Sequence, residues 1–143
     1  VFIGEIVTDM DLDTVLHTDK GCLICGLCVK NCPGGAITDG IIEKEKCASF
    51  ISQKKQELTE EQYGILKRAK TVFGWDLCQK VCPHNKKVLA SDAQKGNTLF
   101  CDDVFATVTK ENVEAVYKDR AFGFRGLKVL QRNLEIYGES ADE

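Results

Sequence analysis

Eight cysteines carry the candidate chemistry of this 143-residue chain: Cys22, Cys25, Cys28, Cys32, Cys47, Cys78, Cys82 and Cys101. A cysteine thiolate is both nucleophile and metal ligand, so spacing decides which role is meant. Eight in 143 residues is thinner than a disulfide-stapled scaffold. A disulfide framework would also spread its cysteines to close long loops, where more chain entropy is removed. Here Cys22, Cys25, Cys28 and Cys32 crowd into one short run. Residues 1–10 lack the basic stretch and small-residue cleavage site of a secretory signal. Clustered thiols in a reducing compartment read as metal ligands, and the expected location is cytoplasmic.

The run Cys22-x2-Cys25-x2-Cys28-x3-Cys32-Pro33 has the spacing of bacterial ferredoxins, whose fourth cysteine ligates the other cluster. Closely spaced thiolates wrap three corners of one cuboidal cluster. The proline then turns the chain so that the fourth thiolate faces a neighbouring cluster. A degenerate second copy follows, Trp75-x2-Cys78-x3-Cys82-Pro83, with tryptophan where the pattern places a cysteine. The crossing rule gives a first [4Fe-4S] cluster Cys22, Cys25, Cys28 and Cys82. It gives a second cluster Cys32 and Cys78, which needs further ligands. Structural zinc also takes four cysteines, but as two well-separated C-x2-C pairs. That pattern fits poorly, and disulfides fit less well still.

Cys47 has two readings: a buried helical thiol, a common fate of free cysteine, or a third ligand of the second cluster. Cys101 is likewise either a core thiol or a fourth ligand. Ligand number favours the second reading for Cys101, since two cubane clusters take about eight thiolates and Trp75 vacates one expected place. Without Cys101 the second cluster keeps three cysteines, and either loses an iron or takes His17 or His84. Each histidine alone reads as a surface residue or a nearby hydrogen-bonding group. Trp75 reads as a core or cluster-shielding aromatic that limits solvent access. Gly21, Gly26, Gly34 and Gly35 either make tight turns or bring bare N–H groups to the sulfurs.

The elements that must position these groups are small. Residues 1–8 alternate enough for a short strand, and 9–20 form an acidic connection. A short helix is expected around 26–31. Ala36-Ile37 and Ile41-Ile42 flank Thr38-Asp39-Gly40, a hairpin signal. Residues 43–53 read as a helix with Cys47, Phe50 and Ile51 on one side. Thr59 with Gln62 is a capping box opening a helix whose stripe is Tyr63, Ile65, Leu66 and Ala69. Residues 76–81 read as a short helix and 85–98 as a polar surface loop. Thr109 caps a helix to Lys118 with Val113, Val116 and Tyr117 inward. A last helix spans 126–137 with Leu127, Leu130, Leu134 and Tyr137 at helical spacing, followed by a frayed acidic tail. The expected fold is α+β: a ferredoxin-like two-[4Fe-4S] core with little strand and appended helices. Residues 1–98 form the iron–sulfur domain, and 99–143 a helical extension packed on it.

Composition narrows the rest. Nineteen basic and 22 acidic side chains leave a net charge of -3, which excludes a nucleic-acid module acting by bulk positive charge. A hydrophobic share of 43% excludes a mostly disordered chain. No stretch approaches the roughly 20 apolar residues that span a bilayer. Lys54-Lys55, Lys67-Arg68-Lys70 and Lys86-Lys87 read as solvated surface rather than phosphate contacts. No phosphate loop, dinucleotide fingerprint or Ser/His/Asp set is visible.

Several strings together resemble the epoxyqueuosine reductase family. They are Phe2-Ile3-Gly4-Glu5 with Thr8-Asp9; the cysteine run ending in Gly35-Ala36-Ile37; Lys46-Cys47; Phe73-Gly74; Asp76-Leu77-Cys78-Gln79-Lys80-Val81-Cys82-Pro83-His84-Asn85; and Arg125-Gly126-Leu127-Lys128-Val129-Leu130-Gln131-Arg132-Asn133. The resemblance covers nearly the whole chain. It implies a cobalamin-dependent enzyme with two iron–sulfur clusters that reduces epoxyqueuosine to queuosine in tRNA. It further implies that the corrinoid belongs to an amino-terminal domain this chain lacks, that Cys47 joins Cys32 and Cys78, and that a flavodoxin or ferredoxin is the electron donor. The chain departs from the family pattern at Trp75, where the family has cysteine. Related reductive dehalogenases fit less well because of the string around Gln79. Beginning at Val1, the chain reads as a piece of something longer, the electron-delivering part of an oxidoreductase. The rival readings are a free-standing ferredoxin-type carrier and a structural or tRNA-docking domain.

Overall fold

The computed structural model describes residues 4–13, 21–90, 108–109, 111–117 and 121–141. These are mostly helical with one two-stranded sheet, an α+β arrangement. The order is α1 (Leu27–Lys30), β1 (Ile37–Thr38), β2 (Ile41–Ile42), α2 (Ala48–Ile51), α3 (Glu60–Ala69), α4 (Leu77–Lys80), α5 (Lys86–Leu89), α6 (Val113–Tyr117) and α7 (Leu127–Ala141). Short 3-10 turns lie at Lys44–Lys46, Pro83–Asn85 and Ala121–Arg125. No described helix is long and apolar enough to cross a membrane.

The hairpin forms where the Asp-Gly signal places it. Ile37 pairs with Ile42 and Thr38 with Ile41, antiparallel. Asp39 (φ 49°) and Gly40 (φ 78°) are both left-handed, as a tight mirror-type hairpin turn requires.

The frame is α3 against α7. Thr59 Oγ1 accepts from the Gln62 N–H at 3.2 Å, and Gln62 Oε1 accepts from the Thr59 N–H at 3.4 Å, so the capping box is closed. Glu60 and Glu61 open α3 and Lys67 and Arg68 end it, each sign facing the helix-dipole end that favours it. Its inner face buries Ile65, Leu66 and Ala69 with Ala48 and Ile51 of α2 and Ile136 of α7. The Tyr63 hydroxyl donates to the Glu139 carboxylate, joining the two helices at their outer edge. A second apolar cluster collects Val72, Val108, Val113, Leu130 and Leu134.

One polar residue sits between these layers. Asn133 is fully buried. Its Nδ2 donates to the Ser52 carbonyl at 2.6 Å and the Val72 carbonyl at 2.7 Å. Its Oδ1 accepts from Arg132 Nε and Nη2 at 3.0 and 2.9 Å. Arg132 also donates to the carbonyls of Lys54 and Gln56. One turn of α7 therefore fixes the segment leaving α2 and the segment entering α4.

Several sequence expectations are corrected. Residues 4–8 form no strand, and Ile6 and Val7 are 93% and 99% exposed. Alternation alone does not make a strand without a neighbour for its backbone groups, and among the described residues there is none. Residues 43–53 are not one helix: Cys47 is extended (φ -80°, ψ 117°) between a 3-10 turn and α2. Ile51 is buried but Phe50 is exposed. The expected loop at 85–98 starts with helix, because Pro83 suits a first helical turn; its residues 91–98 lie outside the described residues. Thr109 and Asn112 exchange hydrogen bonds, and the helix itself begins only at Val113. Val113 is buried, whereas the side chains of Val116 and Tyr117 lie outside the described ones. The tail expected to fray after Tyr137 continues α7 to Ala141.

Candidate metal centre

The sequence repeat is also a backbone repeat. In the first copy the N–H of Lys30 donates to Gly26, Asn31 to Leu27, Cys32 to Val29, and Gly35 to Cys32. In the second copy Lys80 donates to Asp76, Val81 to Leu77, Cys82 to Gln79, and Asn85 to Cys82. All eight acceptors are carbonyl oxygens, and the two ladders match step for step at one constant offset. The helices α1 and α4 pack on each other. Cys28 thus corresponds to Cys78, Cys32 to Cys82, Pro33 to Pro83, and Cys25 to Trp75.

Cys22 and Cys25 are exposed, and Cys28, Cys32, Cys47, Cys78 and Cys82 are half-buried. None of these cysteines is in a disulfide. Cys101 and His17 lie outside the described residues. Two sulfurs already accept backbone hydrogen bonds: the Ile24 N–H donates to Cys22 Sγ at 3.4 Å, and the Ala36 N–H to Cys32 Sγ at 3.2 Å. The donors to these two sulfurs are Ile24 and Ala36. Ile24 reaches this geometry at φ 52°. Left-handed backbone at a β-branched residue costs roughly 1–3 kcal/mol and persists only where the surroundings impose it.

Cys78 lies on α4, which packs on α1 of the first copy. Burial pushes the Cys78 thiol up, and the nearby sulfurs of Cys47 and Cys32 push the same way, against the N–H of Gln79. Gly34 explains how Cys32 and Cys47 meet. A Cβ on Gly34 would stand 2.0 Å from the Lys46 carbonyl oxygen, so only glycine lets these strands of chain touch. Arg68 Nε donates to the Pro33 carbonyl at 3.1 Å and pins the same corner to α3. At the other corner His84 Nε2 bonds the Gly21 carbonyl at 3.1 Å. That bond draws the chain after Cys82 towards the loop that carries Cys22 and Cys25.

Trp75 packs its ring against the core of Ala48, Ile51, Ile65, Leu66, Ala69 and Ile136. Its Nε1 is buried with no hydrogen-bond partner among the described residues. The turn before it is held by Thr71 Oγ1 donating to Gly74 O at 3.0 Å and the Gly74 N–H donating to Ser52 Oγ at 2.9 Å.

The donor set fits iron–sulfur clusters. It is all thiol, six of its seven described cysteines lie in two matched copies, and N–H groups are already aimed at sulfur. Among the described residues no three His, Cys, Asp or Glu side chains converge to hold a single ion. Sequence reasoning missed Asn133 and the Gly34 contact. For Asn133 a signal existed: an amide lies on the same helical stripe as Leu130, Leu134 and Tyr137. For Gly34 there was none, because the contact is made far along the chain.

Residues 21–85 match the family of the 4Fe-4S double cluster binding domain. Over 140 residues the chain is 30% identical to an epoxyqueuosine reductase of Lactococcus garvieae, covering 94% of this chain and 39% of that protein. It is 36% identical over 145 residues to a Geobacillus stearothermophilus protein named "Uncharacterized protein in gldA 3'region", covering 95% of this chain and 65% of the relative. The structure of epoxyqueuosine reductase from Streptococcus thermophilus superposes with a TM-score of 0.69 at 28% identity, covering 94% of this chain and 36% of that one. The chain thus spans less than half the length of the epoxyqueuosine reductases it matches. On motif, sequence and fold together, residues 21–85 match the 4Fe-4S double cluster binding domain, and nearly the whole chain is similar to a part of epoxyqueuosine reductases.

Proposed function

We propose that this chain is an electron-delivering unit built on a ferredoxin-like pair of [4Fe-4S] sites. The observation that supports it most is the backbone repeat, which sets Cys28 and Cys78 on equivalent turns and Cys32 and Cys82 on equivalent exits. In this reading Cys22, Cys25, Cys28 and Cys82 hold the first cluster. Cys32, Cys47 and Cys78 hold the second, with Cys101 as its remaining ligand. Bound in these sets, the clusters supply one-electron relay over a short distance.

The chain's own residues then set the conditions of that relay. The N–H groups of Ile24 and Ala36 favour thiolate and the more negative reduced state. Half-burial of Cys32, Cys47 and Cys78 limits solvent on one side. The exposed Leu23 and Ile24 beside Cys22 leave the other side open to a redox partner. Residues 99–143 act as a helical buttress through α7 in the same reading. The proposed donor is of the flavodoxin or ferredoxin class. The proposed acceptor is a corrinoid on a cobalamin-binding domain, in the service of queuosine formation on tRNA in the cytoplasm. Corrinoid and tRNA contacts are assigned to longer family members, not to residues of this chain.

The test is a pair of variants in the anaerobically reconstituted protein, Cys28→Ser and Cys78→Ser. Each is expected to remove or alter a different one of two EPR signals of the reduced protein. If both variants perturb the same signal and spare the other, the two-site assignment is wrong.

A further inference from the structure

We infer that the indole N–H of Trp75 donates a hydrogen bond to a sulfur of the cluster held by Cys32, Cys47 and Cys78. This rests on the two-site reading above and adds to it a residue that raises the potential of one site only.

Three observations carry it. First, Trp75 stands in the repeat where Cys25 stands in the first copy, and the hydrogen-bonded turns that follow the two residues are the same. The position is therefore one whose partner in the first copy is a thiol. Second, the body of the ring is accounted for by the core it packs against, including Ala48, the residue next to Cys47. Third, Nε1 is buried and has no acceptor among the described residues. A buried donor left unpaired costs about 1–3 kcal/mol, and tryptophan N–H groups that are buried usually find an acceptor. Cys78 lies three residues further on, and Cys47 directly precedes the Ala48 against which the ring packs. The acceptor assigned to the indole N–H is therefore a sulfur of the cluster these cysteines hold. A hydrogen bond to cluster sulfur is stronger in the reduced, more negative state, so it makes reduction easier.

Trp75 is the only tryptophan of the chain, so an indole-¹⁵N label reports this residue alone. In reconstituted, reduced wild-type protein, pulsed EPR is expected to show ¹⁵N hyperfine coupling to one cluster, together with a deuterium-exchangeable proton. Trp75→Phe keeps the ring and removes the N–H. It should retain iron and sulfide while the reduction equilibrium constant of that cluster falls about tenfold, which is about 59 mV for one electron, with the other cluster unmoved. Loss of the cluster in Trp75→Phe would leave the label on wild type to decide. No ¹⁵N coupling in the labelled wild type overturns the inference while the two clusters stand. Absence of iron and sulfide in the reconstituted wild type overturns the underlying reading as well.

Discussion

Gly34 and Lys46 touch so closely that a Cβ on the glycine would lie 2.0 Å from the lysine carbonyl oxygen. That contact brings Cys32 and Cys47, each within two residues of it, to one corner of the molecule. Gly34→Ala must push the two strands apart, at a cost of about 1–3 kcal/mol for an overpacked site. The expected result is selective: iron bound per chain falls by roughly half, and the lost EPR signal is the one that Cys78→Ser also removes. Full iron retention in Gly34→Ala would show that Cys47 is not drawn in through this contact.

Asn133 ties the exit of α2 to the entrance of α4 through two buried carbonyls. Asn133→Leu keeps the branched shape but strands the Ser52 and Val72 oxygens and leaves the half-buried Arg132 short of its acceptor. Burial already holds the Arg132 guanidinium below its usual pKa. A loss of about 3 kcal/mol is expected, read as a lower denaturation midpoint of the reconstituted protein. A midpoint within experimental error of wild type would contradict the role given to this amide.

Thr59→Ala removes one half of the capping box on α3. Such caps are worth about 1 kcal/mol, so the denaturation midpoint should drop modestly while iron content and both EPR signals stay as in wild type. A change in either signal would mean that α3 does more than buttress the cysteine segments.

Removing the metal should act locally. The helices α1 and α4 have four residues each, far below the length at which an isolated helix is stable in water. Binding energy at such sites is folding energy. After chelation, amide exchange is expected to accelerate through residues 21–36 and 76–85 while the buried face of α3 against α7 stays protected. Equal protection with and without metal would count against clusters as part of the fold.

Much of this was legible because it is local. The cysteine spacing, the Asp39-Gly40 turn, the Thr59–Gln62 box and the stripe of Leu127, Leu130 and Leu134 are each written within a few residues. What was not legible is set by contacts across the chain. Cys47 reads as helical until Gly34 presses on the residue before it, and residues 1–8 read as a strand, whereas the described part of it, 4–8, pairs with no strand among the described residues. The Asn133 hub joins segments that no short window contains. Cys101 and His17, both weighed as ligands of the second site, lie outside the described residues.

The central claim is that these thiols hold two iron–sulfur clusters. Iron, zinc and acid-labile sulfide per chain, measured after anaerobic reconstitution, test it most directly. The account predicts about eight iron and about eight sulfide, with no zinc. Zinc without sulfide, or disulfides linking Cys22, Cys25, Cys28 and Cys32 in protein kept reduced throughout, would contradict it.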